Sequence, residues 1–507
     1  MINNFNRIPD RENIESKNFL SETPESTSES TLDKALVEKY GIPIDDIKYL
    51  PGVKINHEDV VEAVINELAQ LDLAVLASQE EGGRLSKNDL HVIVVDEFLE
   101  TAVRNKFALC IYNGVVFVFN GEYWKYIPLE IMRQMLGKAA VKLGIPYKDA
   151  VHYNFKESLL KQFFSIATLP HPKRKDDEVR ITLQNGTFLI TPKEQRLCRF
   201  DSKDFITHQL QFAYDPDADA PSFKTFLNEV LPDKDAQKVL AQFIGYVLIP
   251  NNVLSLEKAL VLYGSGANGK SVVFNLITAL LGNENVSNYS LESLTDANGY
   301  YRVKLGLVLL NYSSEISSRM DPTFFKQLVS GEPIQARSPH KEPITISNYA
   351  RLMFNTNTLP RDVEQNEAFF RRFIIIPFEL TVPEDKRDPD LAKKIIASEL
   401  PGIFNWVLDG LRSLLEEKQF AKSRSISEMV MDYKKKSDTV NMFLEDEYYQ
   451  KDANEKLIVK GVYESYSNYC KIYGYKACSL KSFTDRLRSL GVEVSRTADG
   501  NVAGLRK

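Results

Sequence analysis

Four cysteines and two tryptophans are all that 507 residues contain. Cys110, Cys198, Cys470 and Cys478 form no C-x-x-C pair, and no histidine stands at a zinc-ligand spacing from them. A disulfide framework and a zinc finger are therefore both excluded, and the cysteines read as reduced, small buried side chains. No stretch reaches ~18 apolar residues without a charge, so no membrane-spanning helix is expected. The N-terminus, MINNFNRIPDRENIESK, lacks the apolar core of a secretion signal. These absences together predict a cytoplasmic protein. Positive charge is not in excess either. The net charge of −6 counts against a surface coated with basic residues for nucleic acid.

What is present is ordinary for a globular chain: 43% hydrophobic and 26% charged residues. The length leaves room for about three or four domains. Residues 14–34, ESKNFLSETPESTSESTLDKA, hold too few apolar side chains to offset their ordering entropy, so 1–35 is predicted to be a disordered tail. HEDVVEAVINELAQL (57–71) has apolar residues three and four apart, a helical pattern. SQEEGGRLSKND (78–89) reads as a linker that closes a helical segment, 36–90.

From 91 to 250 the pattern is mixed, as in an α+β support domain. FALCIYNGVVFVFNGEYWKYI (107–127) looks like a hairpin, and VRITLQNGTFLIT (179–191) repeats the device around Asn185-Gly186. From 257 to about 380 the order strand, loop, helix, strand, strand, strand is the grammar of an α/β nucleotide-binding core. LAKKIIASELPGIFNWVLDGLRSLLEE (391–417) is helical and is expected to break at Pro401-Gly402. The last segment reads helix, helix, hairpin, the outline of a winged helix.

KALVLYGSGANGKSVVFNLITALLG (258–282) carries the most specific signal. GSGANGKS fits G-x-x-x-x-G-K-[ST] in full, after a short apolar strand and before an amphipathic helix. Gly264, Gly266 and Gly269 allow the backbone of Ser265, Ala267 and Asn268 to turn its N–H groups around a phosphate. The helix N-terminus adds partial positive charge. Lys270 then reaches the β and γ phosphates of ATP, and Ser271 puts its hydroxyl on Mg²⁺.

Hydrolysis needs more than this loop: an acid, a sensor and a positive charge for the transition state. Glu315 is the only carboxylate in GLVLLNYSSEISS (306–318), at the polar end of an apolar run. It is a candidate to hold Mg²⁺ or to orient water, against the plain alternative of a solvent-facing glutamate. In ARLMFNTNTLP (350–360), Asn357 could bond the γ-phosphate or the attacking water, with Asn355 its rival. Arg371 and Arg372 precede a strongly apolar strand in NEAFFRRFIIIPFEL (366–380), a costly place for guanidiniums that do not face an anion. One of them acting on a neighbour's ATP implies an oligomer.

GSGANGKS, NYSSE, GEPIQARSPHKEPITI, FNTNTLP and FFRRF, in this order within about 110 residues, resemble the superfamily 3 helicases. The likeness is to the helicase part of phage and plasmid primase-helicases, related to the poxvirus NTPase. It is dense over 258–380 and weak before 90. The resemblance implies an AAA+ core at 251–385, a hexameric ring, and 3′-to-5′ movement on single-stranded DNA in a bacterial cell hosting a phage or mobile element. It makes Glu315 the second motif, Asn357 the sensor and Arg372 the preferred finger. It also implies a hairpin whose tip projects into the ring channel: His340 and Lys341, with Arg337 nearby. Such donors grip phosphates without reading sequence. A ring that binds DNA in its channel can stay acidic outside.

Past a helical connector (386–437), residues 454–507 hold ten Lys/Arg against five Asp/Glu in an otherwise acidic chain. Lys481 and Arg486 lie on the second helix of the pair, where a recognition helix would sit on origin double-stranded DNA. Many winged helices bind protein instead. No acidic triad for primer synthesis is seen upstream. The sequence thus predicts a DNA helicase acting on single-stranded and forked DNA without a primase domain. The alternatives are a remodelling or loading ATPase, and an origin-binding initiator switched by ATP.

Overall fold

The computed structural model describes residues 56–79, 82–105, 107–112, 114–167, 178–316, 320–338, 342–360, 363–498 and 500–507. The tail at 1–35 and the first part of the 36–90 segment lie outside them. Among the described residues two compact units emerge, 56–120 with 125–167, and 121–124 with 178–507.

In the first unit, helices His57–Glu67, Lys87–Arg104, Leu129–Lys142 and Tyr153–Ile166 enclose an apolar core around Val94, Phe98, Leu136 and Phe163. The segment read as a linker ends in a capping box. Ser86 Oγ accepts from Asp89 N–H, and the Asp89 carboxylate accepts from Ser86 N–H, which fixes the start of the second helix. The hairpin expected at 107–127 is a three-stranded meander, β1 (Ala108–Tyr112), β2 (Val115–Phe119) and β3 (Trp124–Ile127). The NG at 120–121 adds the third strand.

The second unit opens with another meander, β4 (Val179–Leu183), β5 (Gly186–Ile190) and β6 (Gln195–Cys198). Its inward residues Ile181, Phe188 and Ile190 share one core with helices Pro221–Val230 and Lys234–Val247, with strand residue Leu262, and with Phe404 of the long helix Leu391–Glu417. The support domain drawn at 91–250 is therefore divided near residue 171, and its second part packs on the nucleotide-binding core. Hydrophobic pattern locates faces but not which core each face joins.

The central sheet is parallel throughout. Its strands are β7 (Ala259–Tyr263), β8 (Val286–Ser287), β9 (Leu310–Ser313), β12 (Arg351–Thr356) and β13 (Phe373–Pro377), in the spatial order β13-β7-β12-β9-β8. β7, β13 and the Leu352–Phe354 stretch of β12 are apolar and buried on both faces, as a sheet covered by helices on each side requires. Register aligns their carboxyl ends: Tyr263 pairs with Thr356 and Pro377, and Phe354 with Ser313. Ligands bind at such carboxyl ends in open α/β sheets. Between β9 and β12, β10 (Ile334–Ala336) and β11 (Ile344–Ile346) form an antiparallel hairpin.

The helix Leu391–Glu417 runs on through Pro401, contrary to the expected break. A proline inside a helix costs about 3 kcal/mol, and tertiary contacts offset it. The Glu399 carboxylate accepts from the N–H groups of Ser222 (3.1 Å) and Phe223 (2.9 Å), capping another helix. Gly402 lies so close to Asp219 that a Cβ would stand 2.3 Å from its carbonyl oxygen. Gly245 and Gly410 let this helix and Lys234–Val247 touch backbone to backbone; a Cβ on Gly410 would lie 2.6 Å from the Ala241 carbonyl carbon.

At the C-terminus, helices Val459–Tyr473 and Leu480–Ser489 precede β16 (Val494–Thr497) and β17 (Gly500–Ala503). A short strand, β15 (Leu457–Ile458), makes the sheet three-stranded, and β14 (Gln450–Lys451) pairs with β18 (Leu505–Arg506). Phe443, Tyr466 and Phe483 form its core, with Tyr466 and Phe483 stacked 4.9 Å apart.

Candidate functional site

The loop after β7 is shaped by positive φ angles at Gly266, Ala267 and Gly269 (115°, 49° and 82°). Such alternation turns successive N–H groups toward one concavity, an anion nest. Ala267 takes the left-handed region without glycine's freedom, a strain of about 1–2 kcal/mol. The glycines differ in what they need. A Cβ on Gly264 would lie 2.1 Å from Asn268 Nδ2 and 2.3 Å from the Phe378 carbonyl oxygen, whereas Gly266 faces open space.

Lys270 is 4% exposed. Its ammonium donates to the Gly264 carbonyl (2.8 Å) and to Asn268 Oδ1 (2.7 Å). Burial holds its pKa below the ordinary lysine value. Asn268 in turn donates to the Phe378 carbonyl at 2.7 Å, tying the loop to the end of β13. Ser271 is exposed at the start of the helix Lys270–Leu281.

A cavity of about 790 Å³ opens over the loop, within the ordinary range for a ligand site. Lys270, Ser271, Glu315, Asn355 and Asn357 all line it. They come from three separate stretches, which the sheet brings together at the ends of β7, β9 and β12. Ser313 Oγ donates to the Glu315 carbonyl (3.0 Å), fixing the turn that carries the carboxylate. Asn355 and Asn357 are distinguished by their surroundings. Asn355 bonds the hydroxyl of Tyr312, whose ring stacks on Phe274 at 3.5 Å. Asn357 is exposed to the cavity and has no protein hydrogen bond among the described residues.

Other lining residues carried no signal in the sequence. Phe226, Glu229 and Val230 form one wall, and Lys386, Arg387 and Asp388 another. The charged run VPEDKRDPD was the sole hint of the second wall, and it reads as an ordinary solvated loop.

The structure revises the choice between the two arginines. Arg372 is 7% exposed. Its guanidinium donates to Lys326 O (3.3 Å), Ala368 O and Ser330 Oγ (2.8 Å), and lies 3.4 Å from Glu257. Every nitrogen is committed within the chain, so it cannot project to a neighbour without breaking these bonds. Arg371 has a 55% exposed side chain and one surface ion pair, with Glu257 at 2.8 Å. Neither arginine lines the cavity of its own chain.

Among the nucleic-acid candidates, His340 and Lys341 lie outside the described residues. Arg337 follows β10 and is held against Tyr300, its Nη2 donating to the phenol oxygen at 3.0 Å. Lys481 is exposed. Arg486 is turned inward, 3.4 Å from Asp438, with 18% of its side chain exposed. It braces the start of the helix Thr439–Asp446 rather than facing outward as a recognition residue would. No disulfide joins the cysteines, and burial pushes the Cys110 thiol up to about 12. No helix among the described residues is long and apolar enough to cross a membrane.

A strand, an anion nest and a lysine at the carboxyl edge of a parallel sheet define a P-loop nucleotide-binding core. Residues 95–232 match the family described as D5 N terminal like, 435–502 the family described as poxvirus D5 protein-like, and 262–372 a family of unknown function, DUF5906. A protein of Acanthamoeba polyphaga mimivirus named "Putative helicase L207/L206" is 25% identical over 358 residues, covering 65% of this chain. Over these segments the chain is similar to D5-like proteins and to a putative helicase. It spans 37% of the length of that relative. Two structures of the NrS-1 C-terminal region, at 11% and 13% identity, align over 80% of this chain and 98% and 97% of theirs, with TM-scores of 0.45 and 0.44.

Proposed function

We propose that this chain is an ATP-driven DNA helicase of the superfamily 3 type, with an AAA+ core and a winged-helix-like C-terminal domain. The observation that carries the reading is the single cavity that collects Lys270, Ser271, Glu315 and Asn357 from three strand ends. A phosphate-binding loop alone would serve a switch. An added carboxylate and an unengaged amide serve turnover.

The division of labour follows from the side chains. The loop N–H groups and Lys270 hold the β and γ phosphates, the ammonium leaving its two loop acceptors to do so. Glu315 orients the attacking water and takes its proton as the water oxygen bonds to the γ-phosphorus and the bridging oxygen leaves with ADP. Asn357 bonds a γ-phosphate oxygen or that water. The exposed Ser271 hydroxyl and the Glu315 carboxylate suit a hard cation that takes oxygen ligands. Mg²⁺ bound there would neutralise charge developing on the phosphates. Further positive charge for the transition state comes from a neighbouring subunit in a ring, hexameric by the family likeness. Arg371 is the exposed candidate for it.

The β10–β11 hairpin, with Arg337 at the start of its connecting loop and His340 and Lys341 further along the same loop in sequence, is the part that meets single-stranded DNA. Movement from 3′ to 5′, and service to a phage, plasmid or mobile element, follow from the same likeness. The C-terminal domain, with Lys481 exposed, would meet origin double-stranded DNA or a partner protein.

The test is strand displacement on forked DNA with polarity controls, beside an ATPase assay. Lys270→Ala should abolish both activities. Retained turnover would remove the site assignment, and turnover without displacement would favour a remodelling ATPase.

A further inference from the structure

The second unit holds another pocket, partly open and of about 100 Å³, at the opposite end of the central sheet. It lies where β12 begins, between β4, residues 206–210, the end of the helix Lys234–Val247, and the stretch before β9. Two side chains on its wall lack the partners their chemistry requires.

The first is Arg351, 5% exposed. Its Nη2 donates to the carbonyls of Ile249 (3.3 Å) and Leu254 (2.9 Å), and the Tyr246 ring lies 3.8 Å from its Cζ. No carboxylate pairs with it, and none lines the space. Its Nε and Nη1 have no protein acceptor among the described residues. A guanidinium withdrawn from water without a counter-charge is costly and uncommon. The second is Thr182, 1% exposed, whose hydroxyl is buried without a hydrogen-bond partner. A buried hydroxyl in that state needs an occupant to bond.

The rest of the wall carries positive and neutral polar groups. Arg180 is present but is held by Glu178 and by Asp204 at 2.9 Å, so it adds little net charge. His208 lies 3.2 Å from the Leu307 carbonyl through Nε2. The volume is several times the roughly 10–15 Å³ that one water needs, and it accommodates a tetrahedral oxyanion.

We propose that this space binds a phosphate-type oxyanion, clamped by the Arg351 fork and the Thr182 hydroxyl, separately from the nucleotide cavity. Its position gives it leverage. Arg351 is the first residue of β12, and Asn355 and Thr356 stand at the other end, roughly 16 Å away at about 3.3 Å per residue. Asn348, also on the wall, follows the hairpin strand β11. An oxyanion here joins the root of the hairpin to the strand that carries the polar edge of the nucleotide cavity. It could be free phosphate or a phosphodiester of a nucleic acid.

The experiment uses the full chain carrying Lys270→Ala, which weakens phosphate binding at the P-loop. Inorganic phosphate is titrated while thermal stability and binding heat are read. A saturable, single-site stabilisation is expected in this background. Thr182→Val, which keeps side-chain volume, should weaken it about fivefold, the worth of one ordinary hydrogen bond. Arg351→Lys, which removes the planar fork, should weaken it further. Absence of saturable stabilisation in the Lys270→Ala chain, or unchanged affinity after Thr182→Val, would overturn the proposal. Competition by a short oligothymidylate lacking terminal phosphates assigns the site to a phosphodiester. Competition by sulfate alone assigns it to a free oxyanion. Continued ATP binding by the Lys270→Ala chain would refute the nucleotide assignment and leave this site untouched.

Discussion

Arg371 and Arg372 are adjacent and chemically identical, and the structure predicts opposite consequences for their loss. Arg372→Ala leaves the Lys326 and Ala368 carbonyls and the Ser330 hydroxyl without their donor, in a place 7% exposed. Hydrogen bonds to a charged group contribute about 1.5–3 kcal/mol each, but three sharing one guanidinium do not add in full. Breaking a buried charged network typically costs about 3–5 kcal/mol, and that is the expected loss here. At roughly 2 °C per kcal/mol for a large domain, the melting temperature should fall by about 6–10 °C. Arg371→Ala removes one exposed pair with Glu257, a contribution of at most about 1 kcal/mol after solvent screening. Its melting temperature should move by about 2 °C or less, while ATP hydrolysis falls steeply if it serves a neighbouring subunit. Thermal unfolding of both variants, with ATPase assays of each mixed with Lys270→Ala chains, separates the roles. Rescue should appear in mixtures with Arg371→Ala. An Arg372→Ala protein as stable as the parent, with rescued hydrolysis in mixtures, would refute this reasoning and restore Arg372 as the finger.

Two further predictions concern stability alone. Gly410→Val places a branched side chain where even a Cβ meets the Ala241 carbonyl carbon at 2.6 Å; the two helices must separate, at a cost of about 3 kcal/mol or more by analogy with overpacked cores, readable as a lower urea midpoint. His91 lies against Phe155 at 4.5 Å with its Nε2 buried and unpaired, and burial lowers its pKa. The unfolded state then binds the proton more readily, so the stabilisation is present above about pH 6.5 and is lost as pH falls through the folded value. The first unit should lose stability on acidification in that window, and His91→Phe should flatten the dependence in pH-resolved unfolding.

The phosphate-binding loop was legible because its chemistry is local: spacing, glycines and flanking elements sit in one stretch of sequence. The assembly of Glu315 and Asn357 around it was legible only as an order of motifs, since their proximity depends on the register of β7, β9 and β12. The arginines were ambiguous for a definite reason. FFRRF marks the entry to a strand, and which guanidinium faces inward is decided by Ser330 and Lys326, about 40 residues earlier. Pro401 misled for the opposite reason. Local propensity calls for a break there, and contacts made by Glu399 and Gly402 with a helix start about 180 residues away override it. Lys386 and Arg387 gave no signal because a charged loop looks alike whether it faces a cavity or bulk water. Arg486 was misplaced by the same limit. Its helix position suits a recognition residue, and only the packing of Asp438 shows it facing inward.

The bond between Lys270 and its own loop has a consequence for how a phosphate would enter. The buried ammonium is satisfied by Gly264 and Asn268, so a phosphate must compete with both. Nucleotide arrival is an exchange of partners, in which phosphate oxygens displace two acceptors the chain already supplies. Asn268, released on that side, is still tied to the Phe378 carbonyl just past the end of β13, and the arginine pair stands at the other end of the same strand. The anchor of the loop and the arginine pair thus share one strand, one at each end.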